Sequence, residues 1–249
     1  MCDKSSLFDA LFGDVQQQLQ ARNECHESIK MASKELEAVT AQCNRSLHKL
    51  HATFGKEGIA RFCSTWKENL VLIHSSVLVV EAVIPARDLA VHHRWAYANS
   101  LQQLSLMALL SHFLEANSLL SLDDVKNTLL ASCGLPLDIE DYLLGLCAVP
   151  GELSRMAQNA VIANDFVFPL SALSFVREIQ RGLSQLDFRN DLLRRKSDGV
   201  KHELSKLEQI TYDLRVNKLL LVLDDDDDDD DDDDVSEISP KSKKPRGNV

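Results

Sequence analysis

Residues 137–165 read LDIEDYLLGLCAVPGELSRMAQNAVIAND, and this stretch decides the fold class. Its first turn, residues 138–141, is acidic, which suits the positive end of a helix dipole. Apolar residues then recur at helical spacing to about residue 164. Pro150 lies inside this pattern, so we expect a kink or a break there. The stretch therefore predicts a long amphipathic helix in the middle of the chain.

The helical pattern continues on both sides of this segment. Further helices are predicted at about 6–50, 59–83, 95–120, 122–131, 170–185 and 189–217. Glycine and proline number only 9 and 6 among 249 residues, which is few for the turns of an all-β protein. No run alternates convincingly enough to be a strand. We predict an all-α, single-domain bundle of about seven helices over residues 1–220.

The last predicted helix carries an apolar stripe with a spacing of seven residues. The stripe consists of Leu193, Val200, Leu207 and Leu214. Such a stripe faces either the core of its own subunit or a zipper between two subunits. We favour the core-facing interpretation.

The C-terminal segment 221–249 is predicted to be a disordered tail. It contains eleven consecutive aspartates, and residues 224–249 carry a charge of −8 out of the chain's −11. Such a run repels itself and cannot fold at neutral pH. It serves either as a solubilising tail or as a nucleic-acid mimic that competes for a basic surface. The basic run 241–246 matches a nuclear-import signal, although such runs are common in tails.

The composition also bears on the compartment. Six cysteines occur without a C-x-x-C pair, which favours reduced thiols over a disulfide framework or a zinc site. No signal peptide is visible, and the longest apolar stretch, 70–85, is too short and too polar to cross a bilayer. We therefore expect a soluble protein of the cytoplasm and nucleus with no membrane partner.

Acidic candidates for metal binding are few. The common phosphate-loop, zinc and EF-hand motifs are missing from the sequence. Asp138, Glu140 and Asp141 suit either a divalent cation or, as we favour, the start of a helix. Glu152 lies in an apolar stretch, so it must be paired, for example with Arg155 or with a base on another helix. Glu152 is the one weak candidate for a metal ligand.

Basic and aromatic residues point instead to nucleic acid. Residues 92–95 read His92-His93-Arg94-Trp95, which combines a guanidinium fork for phosphate with a ring that can stack on a base. The alternative is a polar start to the buried helix that follows. Arg61, Lys67 and Arg195 are weaker candidates for contacts to phosphate. Together these residues form the predicted site for single-stranded nucleic acid.

Several segments of the second half carry a family resemblance. They are 137–145, 152–155, 159–161, 190–195, 198–199 and 212–214. In this order and register they resemble the translin family, well over 95–216 and weakly before that. The resemblance implies a bundle of seven helices whose copies assemble into a hollow, roughly octameric shell around single-stranded RNA or DNA. It also implies a partner subunit, because the family has a second branch, Trax, which carries endoribonuclease activity.

The resemblance places the family's catalytic acids at four positions of this chain. These positions hold Gln103, Leu106, Ala148 and Glu152, so three of the four acids are missing. One carboxylate cannot hold a hydrated Mg²⁺, which needs several oxygen ligands. We therefore expect a homo-oligomeric, non-catalytic, translin-like subunit without a cofactor that supports a Trax-like endoribonuclease in small-RNA processing. The alternative is an Mg²⁺-dependent endoribonuclease that uses Glu152.

Overall fold

The computed structural model describes residues 4–84, 93–131 and 133–217, with side chains from residue 12 onward. These residues form seven α-helices and contain no strand. The helices are α1 (Lys4–Ala52), α2 (Lys56–Val83), α3 (Ala98–Ala116), α4 (Leu122–Leu130), α5 (Ile139–Ile162), α6 (Val167–Leu183) and α7 (Asp191–Val216). The predicted all-α bundle of about seven helices is confirmed. The predicted tail and the domain boundary at 220 lie outside the described residues.

Both boundaries of α3 differ from the prediction. A 3₁₀ turn at Arg94–Ala96 precedes α3, so the regular helix begins after Tyr97. The same helix ends at Ala116 rather than near residue 120, because Asn117 adopts a left-handed conformation with φ 50°. Asparagine tolerates this conformation better than most residues, and it commonly ends helices.

Of the kink or break predicted at Pro150, the break does not occur. Helix α5 continues from Ile139 to Ile162 with Pro150 inside it. Proline removes one backbone donor, which costs an interior helix turn about 3 kcal/mol. Here Pro150 is buried and Val149 is fully buried. Packing of this central helix against its neighbours therefore outweighs the local preference of the proline.

Helix α5 lies at the centre of the bundle. It contacts α1, α3, α4, α6 and α7, while α1 and α2 pack on each other as a hairpin. Helix α7 runs beside α5, and the hydroxyl of Ser154 donates a hydrogen bond to the carbonyl oxygen of Glu203 over 3.3 Å. Side chains of α5 therefore face most of the other helices, so any buried polar group on it must find a partner inside the bundle.

The seven-residue stripe of α7 faces this core. Leu193, Val200, Leu207 and Leu214 are each at most 3% exposed within the single chain. Burying such a side chain contributes about 1.5–3 kcal/mol. The core-facing interpretation is therefore correct, and these four side chains are not available for a zipper between subunits.

The five cysteines of the described residues, Cys25, Cys43, Cys63, Cys133 and Cys147, are free thiols. Burial raises the pKa of Cys43 to about 11, so this thiol stays protonated and unreactive at neutral pH.

Within the described ranges, no helix combines the length and apolar character needed to cross a bilayer.

Candidate nucleic-acid interface

Arg94 is held inside the bundle by carboxylates of α5. Its Nη1 lies 2.5 Å from Asp138 Oδ2, and its Nη2 lies 2.8 Å from Asp141 Oδ1. Nε donates a further hydrogen bond to Asp141 Oδ2 over 3.2 Å. Gln102 of α3 also donates to Asp141, over 2.8 Å. The guanidinium fork that the sequence assigned to phosphate is thus engaged by two carboxylates within the chain.

Asp141 explains why this network matters for folding. The carboxylate is 0% exposed, and a buried charge without a partner costs several kcal/mol. Arg94 and Gln102 supply the donors that it needs. Asp138 begins α5 as its N-cap residue, accepting a hydrogen bond from the backbone N–H of Glu140. The helix-start interpretation of these acids therefore accounts for Asp138, and ion pairing accounts for Asp141.

Trp95 stands in a different environment although it follows Arg94 directly. Its side chain is 51% exposed. One ring face stacks on His26 of α1, with centroids 4.4 Å apart and an angle of 19° between the planes. His93 is half-buried beside the turn, and His92 lies outside the described residues. Among the described members of this motif, His93, Arg94 and Trp95, the tryptophan is therefore the one open to a ligand.

Arg61 lies in a shallow groove where α1 and α2 meet. The groove has a volume of about 130 Å³, and its polar lining consists of Ser46, Lys49, Thr53, Arg61 and Thr65. Among the described residues, no carboxylate lines it. Neither cation makes an ion pair with another described residue, so the groove offers two positive charges to an anion. The hydroxyls of Ser46 and Thr53 already donate to backbone carbonyl oxygens and do not add donors for that anion.

Lys67 and Arg195 occupy two further surfaces. Lys67 is exposed in a groove of about 630 Å³ between α2 and α3, where its Nζ lies 2.7 Å from Glu115 Oε1. This hydrogen bond and the charge of Glu115 raise the pKa of Lys67. Arg195 is exposed on α7 and makes no ion pair with the described residues. Arg61 and Lys67 thus lie in different grooves along α2, Arg195 lies on α7, and the structure does not bring the three bases into one pocket.

The four family acid positions lie on α3 and α5, which pack closely. A Cβ added at Gly145 would lie 2.9 Å from the carbonyl oxygen of Gln102 and 3.0 Å from the backbone nitrogen of Leu106. Glycine at 145 is therefore required for the close approach of the two helices. Leu106 is 5% exposed, so an apolar side chain fills one of the acid positions.

Glu152 is the remaining acid of the four, and it is paired as predicted. Its Oε2 lies 2.6 Å from His51 Nε2 on α1 and 3.7 Å from Arg155 Nη1. Burial raises the pKa of Glu152, but the hydrogen bond and charge of His51 and the charge of Arg155 outweigh it, so its pKa lies below the ordinary value. In the described ranges, no three His, Cys, Asp or Glu side chains are grouped to hold a metal ion.

The sequence analysis missed two residues of the candidate nucleic-acid interface, His26 beside Trp95 and Lys49 beside Arg61. His26 lies 69 residues from Trp95 and Lys49 lies 12 from Arg61, so no local motif connects either pair. A partial signal existed for His26, because Arg22, His26 and Lys30 recur every fourth residue on one face of α1. Recognising that spacing would have marked a basic strip, although not its aromatic partner.

Comparison with known proteins gives a consistent assignment. A family model described as Translin matches residues 24–218. The Translin proteins of Bos taurus and Homo sapiens are each 29% identical over 211 residues, covering 83% of this chain and 92% of theirs. Translin-associated protein X of Mus musculus is 25% identical over 228 residues, covering 82% of this chain and 77% of its own length. Similarity is thus higher to translin than to the associated protein.

Solved structures share the fold. The crystal structure of apo-NeC3PO aligns with a TM-score of 0.60 at 14% identity, covering 80% of this chain and 95% of that chain. The AfC3PO–duplex RNA complex aligns with a TM-score of 0.58 at 16% identity, covering 84% and 98%. Because the family model spans most of the helical bundle, the chain belongs to the Translin family.

Proposed function

We propose that the protein is a non-catalytic subunit of a multimeric translin-like shell that binds single-stranded RNA or DNA. In this role it supports a Trax-like endoribonuclease in small-RNA processing. Family membership motivates the proposal, and the state of the family acid positions carries its non-catalytic part.

The acid positions lack the oxygen ligands that metal-dependent cleavage needs. Gln103, Leu106 and Ala148 replace three of the acids, and Glu152 is hydrogen-bonded to His51 and lies 3.7 Å from Arg155. Mg²⁺ needs near-octahedral oxygen coordination and in such sites uses more than one protein carboxylate. A Glu152 carboxylate that left His51 for a cation would also leave the partly buried imidazole without its partner.

Surplus bases support the nucleic-acid half of the proposal. Lys49, Arg61 and Arg195 are exposed, and none of them forms an ion pair within the described part of the chain. A solved structure with the same fold, AfC3PO, is a complex with duplex RNA, and this supports the proposal of a nucleic-acid ligand. Phosphate contacts of this kind release counterions, so binding should weaken steeply as salt rises.

The proposal is tested with the purified full chain and a labelled 20-nucleotide RNA without secondary structure. Fluorescence anisotropy should show binding that weakens with salt, with a log–log slope of about −0.7 for each phosphate contact. A parallel incubation with Mg²⁺ should leave the RNA intact. A flat binding curve at low salt would remove the nucleic-acid half of the proposal.

The incubation with Mg²⁺ also tests the alternative function, an Mg²⁺-dependent endoribonuclease that uses Glu152. If the parent protein cleaves RNA with Mg²⁺ and Glu152→Gln abolishes the cleavage, the chain is an Mg²⁺-dependent endoribonuclease and our proposal is wrong.

Native mass measurement with and without the RNA gives the subunit number. We also propose that the protein acts in the cytoplasm and nucleus, and a fluorescent fusion lacking residues 241–246 tests the nuclear part.

A further inference from the structure

Trp95 and His26 form a half-built stack on the surface. Their rings are nearly parallel with centroids 4.4 Å apart, yet half of the indole surface remains exposed. A large exposed aromatic ring with one face already covered is suited to accept a further flat ring. Nucleic-acid bases stack on such side chains whatever their sequence, because every base has a π-face.

The backbone that carries Trp95 is held in place by the residues on both sides of it. Arg94 bonds Asp138 and Asp141 at the start of α5, and Ala96 and Tyr97 on the other side are buried. The indole is therefore presented by a short 3₁₀ turn with anchors on both sides. This limits the conformational entropy that a ligand must remove on binding.

Helix α1 places positive charges beside the stack. Arg22 and Lys30 lie four residues before and after His26, which is about 6 Å to each side along the helix axis. Arg22 makes no ion pair with a described residue. Lys30 lies 3.9 Å from Glu27, and both side chains are more than half exposed. Such an exposed pair is weak, so the ammonium is available to a phosphate.

We propose that Trp95 and His26 bind one unpaired base while Arg22 and Lys30 bind the phosphates on either side of it. The proposal rests on the proposed function, and it names α1 as the second wall of the nucleic-acid site. A base can enter this stack only when it is unstacked from its neighbours, so the site should favour single strands over a duplex.

The second tryptophan makes a direct test possible. Trp66 is 4% exposed in the core, so Trp66→Phe leaves Trp95 as the only tryptophan in the chain. Stacking with a base should quench the Trp95 emission of this variant as single-stranded oligouridine RNA is added. In the same titration, anisotropy of the labelled RNA reports binding independently of the tryptophan.

Substitutions then separate stacking from charge. Trp95→Ala should weaken single-strand affinity about five- to a hundred-fold, and Trp95→Phe much less. His26→Ala should weaken it less than Trp95→Ala. The double change Arg22→Ala with Lys30→Ala should lower the salt slope by about 1.4. A matched control removes two exposed bases of other helices, Lys126 of α4 and Arg177 of α6, and should change the slope less.

The outcomes distinguish this site from the proposed function. RNA binding with unchanged Trp95 emission, together with full affinity of Trp95→Ala, would overturn the stacking site and leave the proposed function standing. Complete lack of binding by the parent protein would remove both. If Trp95→Ala does not fold, as judged by circular dichroism, the quenching measurement and His26→Ala still decide the question.

Discussion

Two carboxylates of α5, Asp141 and Glu152, differ in one respect from two surface bases, Arg61 and Arg195: the acids are already paired inside the chain. Asp141 and Glu152 are bound by Arg94 and His51. Arg61 and Arg195 have no such partner among the described residues. A metal-dependent nuclease needs the reverse arrangement, with unpaired acids converging on one point. The distribution of partners, more than the number of charges, therefore favours binding over catalysis.

The same contrast separates two adjacent residues. Arg94 is pinned to α5, whereas Trp95 is half-exposed on the stack with His26. From sequence alone both read as ligand contacts. In the structure one positions the chain and the other is presented to solvent, so substitutions at the two sites should fail in different ways.

The largest effect is expected on stability. Arg94→Ala leaves the buried Asp141 carboxylate without its charged partner, and we expect a loss of about 3 kcal/mol in the free energy of unfolding. Urea unfolding followed by circular dichroism measures it. Arg61→Ala removes an exposed arginine and should change stability by less than about 0.5 kcal/mol. Equal, small changes in both variants would show that the Arg94 network is not structural.

This expectation changes how the predicted site must be tested. Replacing residues 92–94 together by alanine would mix lost contacts with lost folding, because Arg94 anchors α5. Trp95 and Arg61 avoid this ambiguity, since both are exposed.

The next effect concerns the groove between α1 and α2. Lys49→Ala with Arg61→Ala removes both of its cations, and we expect about a tenfold loss of single-strand affinity at low salt. The slope of log affinity against log salt should fall by about 1.4, as for two lost phosphate contacts. Anisotropy titrations at four salt concentrations measure both values. An unchanged slope would place the nucleic acid elsewhere.

The helices could be predicted from the sequence because the spacing of apolar residues that defines each helix lies within one continuous segment. The stripe of α7 and the acidic start of α5 each occupy one continuous segment, so their roles could be predicted before any contact was known. At Pro150, the break that the local sequence allowed does not occur. The proline's local preference for a break was outweighed by packing that comes from helices distant in sequence.

The site was harder to predict because its partners are distant in sequence. His51 lies 101 residues from Glu152, and Arg94 lies 47 from Asp141. The sequence required a partner for Glu152 and named Arg155, which is correct, but it could not single out the shorter contact to His51. Arg94 looked free for the same reason, since nothing local shows that its carboxylate partners come from α5.

A smaller effect is expected from Glu152→Gln, and it should depend on pH. The folded-state pKa of Glu152 lies below its ordinary value of 4.5, so the ionised form stabilises the native state above pH 4.5. This contribution is lost as pH falls through the lower, folded-state pKa. At pH 7 we expect the variant to lose about 1 kcal/mol, and the difference from the parent should shrink below pH 4.5. A difference independent of pH, measured by urea unfolding at pH 3.5 to 7, would contradict the ion pair.

The smallest effect is expected on RNA affinity when an unpaired base of α7 is replaced, and a paired base of the same helix serves as the control. Arg195 makes no ion pair with the described residues, whereas Lys201 Nζ lies 2.9 Å from Asp198 Oδ1. Each alanine substitution removes one positive charge from the same helix. If the partner-free bases bind phosphate, Arg195→Ala should weaken RNA affinity about threefold. Lys201→Ala should change it less, because its charge is already partly neutralised by Asp198. Equal losses would mean that only the long-range charge of α7 matters, and that a missing internal partner does not identify the contact residues.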